Sequence, residues 1–134
     1  MIIIITIMGW ILYSLFEGYR EALYFYYESK TGREHKSKYD IHVMFNAQRA
    51  AALSLALLSF NIITALIMFI GLTALFPFFH DGQYYLTRNN LHKLTYPKRW
   101  KDFGDGSAVL DFTWKQRISL LILGIAAVIA AFIF

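Results

Sequence analysis

The chain has 134 residues, which is enough for one domain, and it is 57% hydrophobic and only 16% charged. Soluble domains carry about 25% charged residues, so this composition disfavours an ordinary soluble fold. The formal net charge is +4, but no soluble module with a dense basic patch is present, which excludes nucleic-acid binding. The absence of cysteine excludes disulfides, thiolate metal ligands and thiol nucleophiles.

The first apolar stretch predicts a membrane span over about residues 4–27. Residues 2–16 are almost wholly apolar, yet a span needs about 20 residues. The helical pattern continues into an aromatic group, residues 24–27, of the kind that lies at a membrane interface. A polar connection is predicted next, over residues 29–41.

The second apolar stretch is the longest in the chain. Residues 50–79 carry no formal charge, and Asn61 is their only strongly polar side chain. The length favours one tilted helix with a span over about residues 50–76. Pro77 is expected to mark the end of this helix or a kink in it, because proline breaks or kinks a helix interior. The alternative is a broken or re-entrant segment around Asn61 or Gly71.

The last third of the chain predicts an extramembrane segment over residues 80–111 and a final span over residues 112–134. The extramembrane segment is aromatic-rich rather than of low complexity, so we expect it to be ordered at the membrane interface. Aromatic and basic side chains flank the spans, where such residues anchor helices at the headgroup layer. The predicted interface anchors are Tyr24, Tyr27, Trp100, Trp114, Lys115 and Arg117.

These elements predict an all-α fold, an integral membrane helical bundle of about three transmembrane helices plus an interfacial loop segment. Residues 1–134 then form a single membrane domain. In the last span, Gly124, Ala127 and Ala131 make a stripe of small residues. Such a stripe allows close helix packing, either within the bundle or between copies of the chain.

Basic residues do not assign an orientation to three spans. Six Lys and Arg lie between Arg20 and Arg49, and seven lie between Arg88 and Arg117. Three spans would put these two groups on opposite membrane sides, so the positive-inside rule barely discriminates. A broken second segment would put both groups on one side, which is the main argument for that alternative.

A charged turn inside the first helix is the most informative feature. Glu17, Arg20 and Glu21 share one helix face at spacings of three and four residues. A charge below the aromatic group costs several kcal/mol unless it is paired or hydrated. If the first two helices form an antiparallel hairpin, residues that lie at the same height along the two helices have numbers that sum to about 68–70. This relation predicts an intramembrane charge network of Glu17, Arg20, Glu21, Asn46, Gln48 and Arg49.

Three interpretations of this network stay open at the level of sequence. The helices could project past the bilayer and form an ordinary salt-bridged surface. The network could be buried and fix the register of the helices. It could also form an active or ion-handling site, since intramembrane charges often mark function.

A divalent metal site is the specific form of the third interpretation. The candidate ligands are Glu17, Glu21, His42, His80 and Asp81. The chain contains neither Glu-x-x-His nor His-Glu-x-x-His, the turns that bind metals in helical proteins. In a simple three-span arrangement, His80 and Asp81 would lie at the far end of the second helix, where they could not meet Glu17.

The leading functional hypothesis is a multi-pass membrane protein that acts as a subunit of a homo-oligomer or larger membrane complex. Its expected partners are membrane lipids and other membrane chains or copies of itself. The second hypothesis is a membrane-embedded metal-dependent enzyme that uses the Glu/His cluster. The third is a homo-oligomeric channel or transporter unit, in which a ring of charged side chains would line a pore.

Overall fold

The computed structural model describes residues 1–31, 38–93 and 112–134, with side chains described for residues 1–30, 43–93 and 112–134. The described residues form four helices and no strands, which confirms the all-α class. The helices are α1 (Ile2–Thr31), α2 (Lys38–Leu57), α3 (Ile62–Leu91) and α4 (Trp114–Ala130). Trp100 lies outside the described residues, as do residues 32–37 of the segment 29–41 and residues 94–111 of the segment 80–111.

The single helix expected over the second apolar stretch is wrong, because the chain turns between α2 and α3. The amide of Phe60 donates to the carbonyl of Leu57 at 3.1 Å and closes this turn. Asn61 then caps α3, since its side-chain oxygen accepts from the amide of Thr64 at 3.0 Å. Asparagine is among the strongest N-cap residues. The lone polar side chain of the apolar stretch therefore starts a new helix.

The helix end expected near Pro77 is also wrong, because Pro77 lies inside α3. The first twelve residues of the expected extramembrane segment 80–111 continue that helix as far as Leu91. A proline in a helix interior costs about 3 kcal/mol. Contacts with α1 offset this cost, since Tyr84 and Tyr85 pack against Ala22 on the far side of the proline.

The helices alternate in direction along the chain. Trp10 meets Leu72 and Glu21 meets His80, so the residue numbers of α1 and α3 rise together and these helices are parallel. Arg20 meets Gln48, which makes α2 antiparallel to α1. The connections 32–37 and 94–111 therefore leave the bundle at the same end, which we call the basic end.

The opposite end of the bundle, which we call the uncharged end, contains both chain termini and the turn between α2 and α3. There Asn61 Nδ2 donates to the carbonyl of Phe134 at 3.5 Å. No Lys, Arg, Asp or Glu occurs in residues 1–16, 50–79 or 118–134. Among the described residues, the charged side chains therefore lie in the half of the bundle nearer the basic end.

Helix α3 packs between α1 and α4. On the α1 side, Gly18 lies so close to the backbone of His80 that a side chain there would displace one helix. On the α4 side, a Cβ on Gly124 would lie 2.9 Å from the carbonyl oxygen of Gly71. Small residues thus let two backbones approach α3, and Ala131 of the predicted stripe is buried in the same core.

Two helices are long and apolar enough to cross a membrane, α1 over Ile2–Lys30 and α3 over Ile62–Leu91. The outward faces are also apolar. Large exposed side chains of these faces include Ile5, Leu12, Phe16, Leu55, Leu66, Ile70, Ile122 and Ile129. Soluble proteins rarely expose contiguous apolar surface on this scale.

Candidate functional site

A group of ionisable side chains joins α1, α2 and α3 below the basic end. We call it the polar cluster. Its members are Glu17, Arg20, Glu21, Arg49, His80 and Asp81. Three come from α1, one from α2 and two from α3. The cluster therefore ties together three helices that are distant in sequence.

The two carboxylates of α1 are buried, each with only 3% of its residue surface exposed. Arg49 Nη2 lies 2.6 Å from Glu21 Oε2 and 3.6 Å from Glu17 Oε1. Arg20 Nη2 donates to Glu17 Oε1 at 2.7 Å. Because a buried charge without a partner is costly, these guanidinium groups are what make the burial of Glu17 and Glu21 tolerable.

Polar side chains of α2 hold the two arginines in place. Arg20 Nη1 donates to Gln48 Oε1 at 3.0 Å, and Arg49 Nη1 donates to Asn46 Oδ1 at 3.3 Å. The helix-level relation predicted that Glu21 would lie near Gln48 and Arg49. The contact with Arg49 is present, whereas Gln48 binds Arg20, the residue before Glu21.

His80 lies at the centre of the cluster. Its Nε2 is 2.8 Å from Glu21 Oε2 and its Nδ1 is 2.9 Å from Asp81 Oδ1. Arg49 Nη2 is 3.0 Å from the same Nε2. A protonated ring donates to both carboxylates, whereas a neutral ring with its proton on Nδ1 donates to Asp81 and accepts from Arg49. Both ring nitrogens have a partner in either state.

Aromatic rings cover the cations of the cluster. Phe76 stacks on the His80 ring at a centroid distance of 4.7 Å, and Arg49 lies 4.9 Å from the centroid of Phe76. Arg20 lies 4.7 Å from the centroid of Phe45. Cation–π contacts of this kind are strongest where water is excluded. Sequence reasoning did not identify either phenylalanine, because apolar residues adjoin the charged positions everywhere in this chain.

The expectation that His80 and Asp81 could not reach the first-helix carboxylates is wrong. It assumed one continuous second helix, which would carry His80 to the opposite end of the bundle. The turn at residues 58–61 reverses the chain instead, so His80 returns to the level of Glu21. The distribution of basic residues, which favoured a broken segment, was the signal that could have revealed this contact.

The metal candidates are only partly brought together. Glu17, Glu21, His80 and Asp81 share the cluster, whereas the side chain of His42 lies outside the described residues. Among the described side chains, no group of three or more His, Asp and Glu is arranged to hold a metal ion. Glu21 Oε2 and both His80 nitrogens already contact each other, Arg49 or Asp81.

The predicted interface anchors lie in different environments. Tyr24 packs edge-on against Phe45 at 6.1 Å between centroids, whereas Tyr27 is exposed. Lys115 is exposed next to the start of α4. Arg117 is fully buried instead, with its guanidinium 5.3 Å from the ring centroid of Tyr85.

Comparison with known proteins gives no relative for this chain. No family model matches it, and neither the curated proteins nor the solved structures contain a similar chain at the significance required. Its function is therefore inferred from its own geometry.

Proposed function

We propose that this chain is a multi-pass integral membrane protein that acts as a subunit of a homo-oligomer or larger membrane complex. In this proposal the polar cluster joins helices within the membrane. The observation that carries it is the distribution of charge: ionisable groups are buried between helices while large apolar side chains face outward. This pattern is the reverse of a soluble protein and suits a lipid environment.

Helix dimensions support the membrane assignment. Glu17 and Glu21 lie about 23 and 29 Å along α1 from Ile2, at about 1.5 Å per residue. A hydrocarbon core is about 30 Å thick. If the uncharged end lies at one interface, the cluster lies just inside the other. Trp114, where α4 begins, then lies near the same interface as the cluster.

The two ends of the bundle support an orientation. The basic connections leave from one end, and the turn with both termini lies at the other, where no Lys or Arg occurs. Cytoplasmic loops carry an excess of Lys and Arg. We therefore place the basic end on the cytoplasmic side.

An exposed face of α2 supports association with another chain. Ala47, Ala51 and Ser54 follow one another at helical spacing, and all three are exposed. Small residues on a membrane helix allow a second helix to approach closely. The neighbouring side chains of Val43, Met44 and Leu55 are also exposed, so this side of α2 is open to a partner.

The polar cluster fits the role of a complex subunit better than the two alternatives, a pore of identical units and a metal enzyme. In a pore formed by identical units, the charged side chains would line a shared surface, but Glu17, Glu21 and His80 are buried inside one bundle. In a metal enzyme, the ligand atoms would face a common point. Here the atoms of Glu21 and His80 face Arg49 and each other.

The proposal is tested on single-cysteine variants, because the chain has no cysteine of its own. Ser59→Cys lies in the turn at the uncharged end, and Ser29→Cys lies near the basic end; both positions are exposed. In intact cells, a membrane-impermeant maleimide should label Ser59→Cys and spare Ser29→Cys. The reverse pattern would overturn the orientation, and labelling of both sites would overturn the membrane assignment.

The subunit role is tested on the purified full-length protein. Native mass spectrometry in mild detergent should give a mass above the 15.6 kDa of one chain, either as a multiple or with a co-purifying partner. Ala51→Leu should reduce this association, whereas Leu66→Ala, on an exposed face of α3, should not. A strict monomer without partners in gentle extraction would contradict the subunit role.

A further inference from the structure

A cavity of about 670 Å³ adjoins the polar cluster. Residues of α3 between Phe69 and Asp81 form its largest wall, and side chains of α1, α2 and α4 complete it. It is partly open to the surroundings. Small-molecule sites in proteins have volumes of about 300–1,000 Å³, mostly apolar walls and a few polar groups. This cavity has all three properties.

The cavity has one polar end and one apolar end. Arg49, His80 and Asp81 line it at the level of the cluster, whereas Phe69 and Leu123 line it toward the uncharged end. Phe69 and Asp81 are twelve positions apart in α3, which corresponds to about 18 Å of helix. A molecule that fills this space is therefore long, with one polar terminus and an apolar tail.

Arg49 gives the polar end an unused hydrogen-bond donor. Its two terminal nitrogens bind Glu21 and Asn46. Nη1 carries two N–H groups, and its bond to Asn46, which also lines the cavity, uses one of them. An acceptor atom on a bound molecule can take the second N–H.

The charge of the cluster selects the kind of acceptor. Glu17 and Glu21 of α1 and Asp81 of α3 face Arg20 and Arg49, with His80 either neutral or protonated. The cluster is therefore neutral or carries one negative charge. The α4 side chains that line the cavity, Leu120 and Leu123, are apolar. An anionic headgroup would add a second buried negative charge, whereas an uncharged acceptor would not.

We propose that the cavity binds an amphiphile with an uncharged, carbonyl-bearing head and a long apolar tail, with the head at Arg49 and the tail toward Phe69 and Leu123. This inference rests on the proposed membrane location, since the tail enters from the lipid phase. A neutral lipid ester and a prenylated quinone share this chemistry. Bulk phospholipids, which carry a phosphate, do not.

Trp10 provides the reporter for this site, because its ring lines the cavity. The chain has three tryptophans, so a Trp100→Phe/Trp114→Phe background leaves Trp10 alone. Purified full-length protein in mild detergent is titrated with a monoacylglycerol whose acyl chain carries two bromine atoms. Quenching of Trp10 should saturate. Lysophosphatidic acid, which has the same brominated chain and ester carbonyl, should need about a tenfold higher concentration, because its phosphate adds a buried negative charge.

Two variants locate the binding. Thr73→Phe fills the cavity from its wall and should abolish saturable quenching, whereas Leu66→Phe, exposed on the same helix outside the cavity, should preserve it. Arg49→Lys keeps the positive charge but removes the planar guanidinium and its Nη1 donor. It should weaken monoacylglycerol binding by about tenfold.

The outcomes distinguish a lipid ester from a quinone as the source of the head, and specific binding from bulk lipid contact. Decylubiquinone is titrated in a second arm, and the tighter of the two neutral probes identifies the source of the head. Quenching that rises without saturation and is equal in Thr73→Phe would mean bulk lipid contact only and would overturn the proposal. Preference for lysophosphatidic acid would overturn the uncharged head. The cysteine-labelling experiment reports on membrane location independently of either result.

Discussion

Helix α3 is held by two very different interfaces. Toward α1 and α2 it presents His80 to buried carboxylates and a guanidinium, so specific ionic hydrogen bonds fix the register. Toward α4 it presents Gly71 to Gly124, with Leu75 and Val128 beside them, so steric fit fixes the register. In the proposed lipid environment, both devices are needed because burial of apolar surface supplies little force between helices.

The two interfaces of α3 should be destabilised by different kinds of substitution. An ionic interface fails when one partner is removed, because the other charge stays buried without compensation. A close-packed apolar interface fails when volume is added, because neighbouring atoms must shift. The two interfaces should therefore respond to opposite kinds of substitution.

The largest effect is expected for Arg49→Met, which keeps the apolar stem of the side chain and removes the charge between Glu17 and Glu21. We expect a loss of about 3 kcal/mol in unfolding free energy. Arg20→Met is the matched control. The side chain of Arg20 is 45% exposed and Glu17 keeps Arg49 as a second partner, so its removal should cost less, about 1–2 kcal/mol. Denaturation in mixed micelles, followed by circular dichroism, measures both.

A double variant shows whether buried charge is the cause. Glu21→Gln/Arg49→Met should be more stable than Arg49→Met, because a neutral amide needs no counter-charge. Equal stability of Arg49→Met and Arg20→Met would contradict the ionic character of this interface.

An intermediate effect is expected for Gly124→Ala. The added Cβ would lie 2.8 Å from the side chain of Leu75 and 2.9 Å from the carbonyl oxygen of Gly71, so α4 must move away from α3. We expect a loss of about 1–3 kcal/mol. Gly9→Ala is the control, since nothing lies within 4 Å of its Cβ position. It should stabilise α1 by about 0.5–1 kcal/mol, and a loss there would undermine the steric explanation.

The smallest effect is expected for Trp10→Phe. The indole Nε1 donates to the carbonyl of Leu72 at 2.7 Å, and phenylalanine keeps an aromatic ring in the core without that donor. We expect a loss of about 1 kcal/mol, the net contribution of one hydrogen bond. Trp114→Phe, at the partly exposed start of α4, provides the comparison. A loss of 3 kcal/mol or more for Trp10→Phe would equal the loss expected when a buried charge loses its partner. It would contradict the expected difference between the neutral hydrogen bond of Trp10 and the ionic contacts of Arg49.

Much of the polar cluster could be predicted from the sequence because its first half is local. Glu17 and Arg20 are one helical turn apart, and a short connection made the hairpin levels of Glu21 and Arg49 computable. The contact with His80 could not be predicted in this way. It depends on where the chain reverses between residues 57 and 62, and an apolar stretch without charge or glycine there gives only a weak signal.

The sequence by itself determined the helical class and the location of charge, because both follow from residue type and from local spacing. The tertiary structure alone decided that α1 and α3 are parallel, that Pro77 lies inside a helix, and that Glu21 meets His80. These features depend on the turn capped by Asn61. A reversal of chain direction costs little free energy locally but changes the position of every later residue. The local sequence therefore does not specify where the chain reverses, and the packing of the whole bundle does.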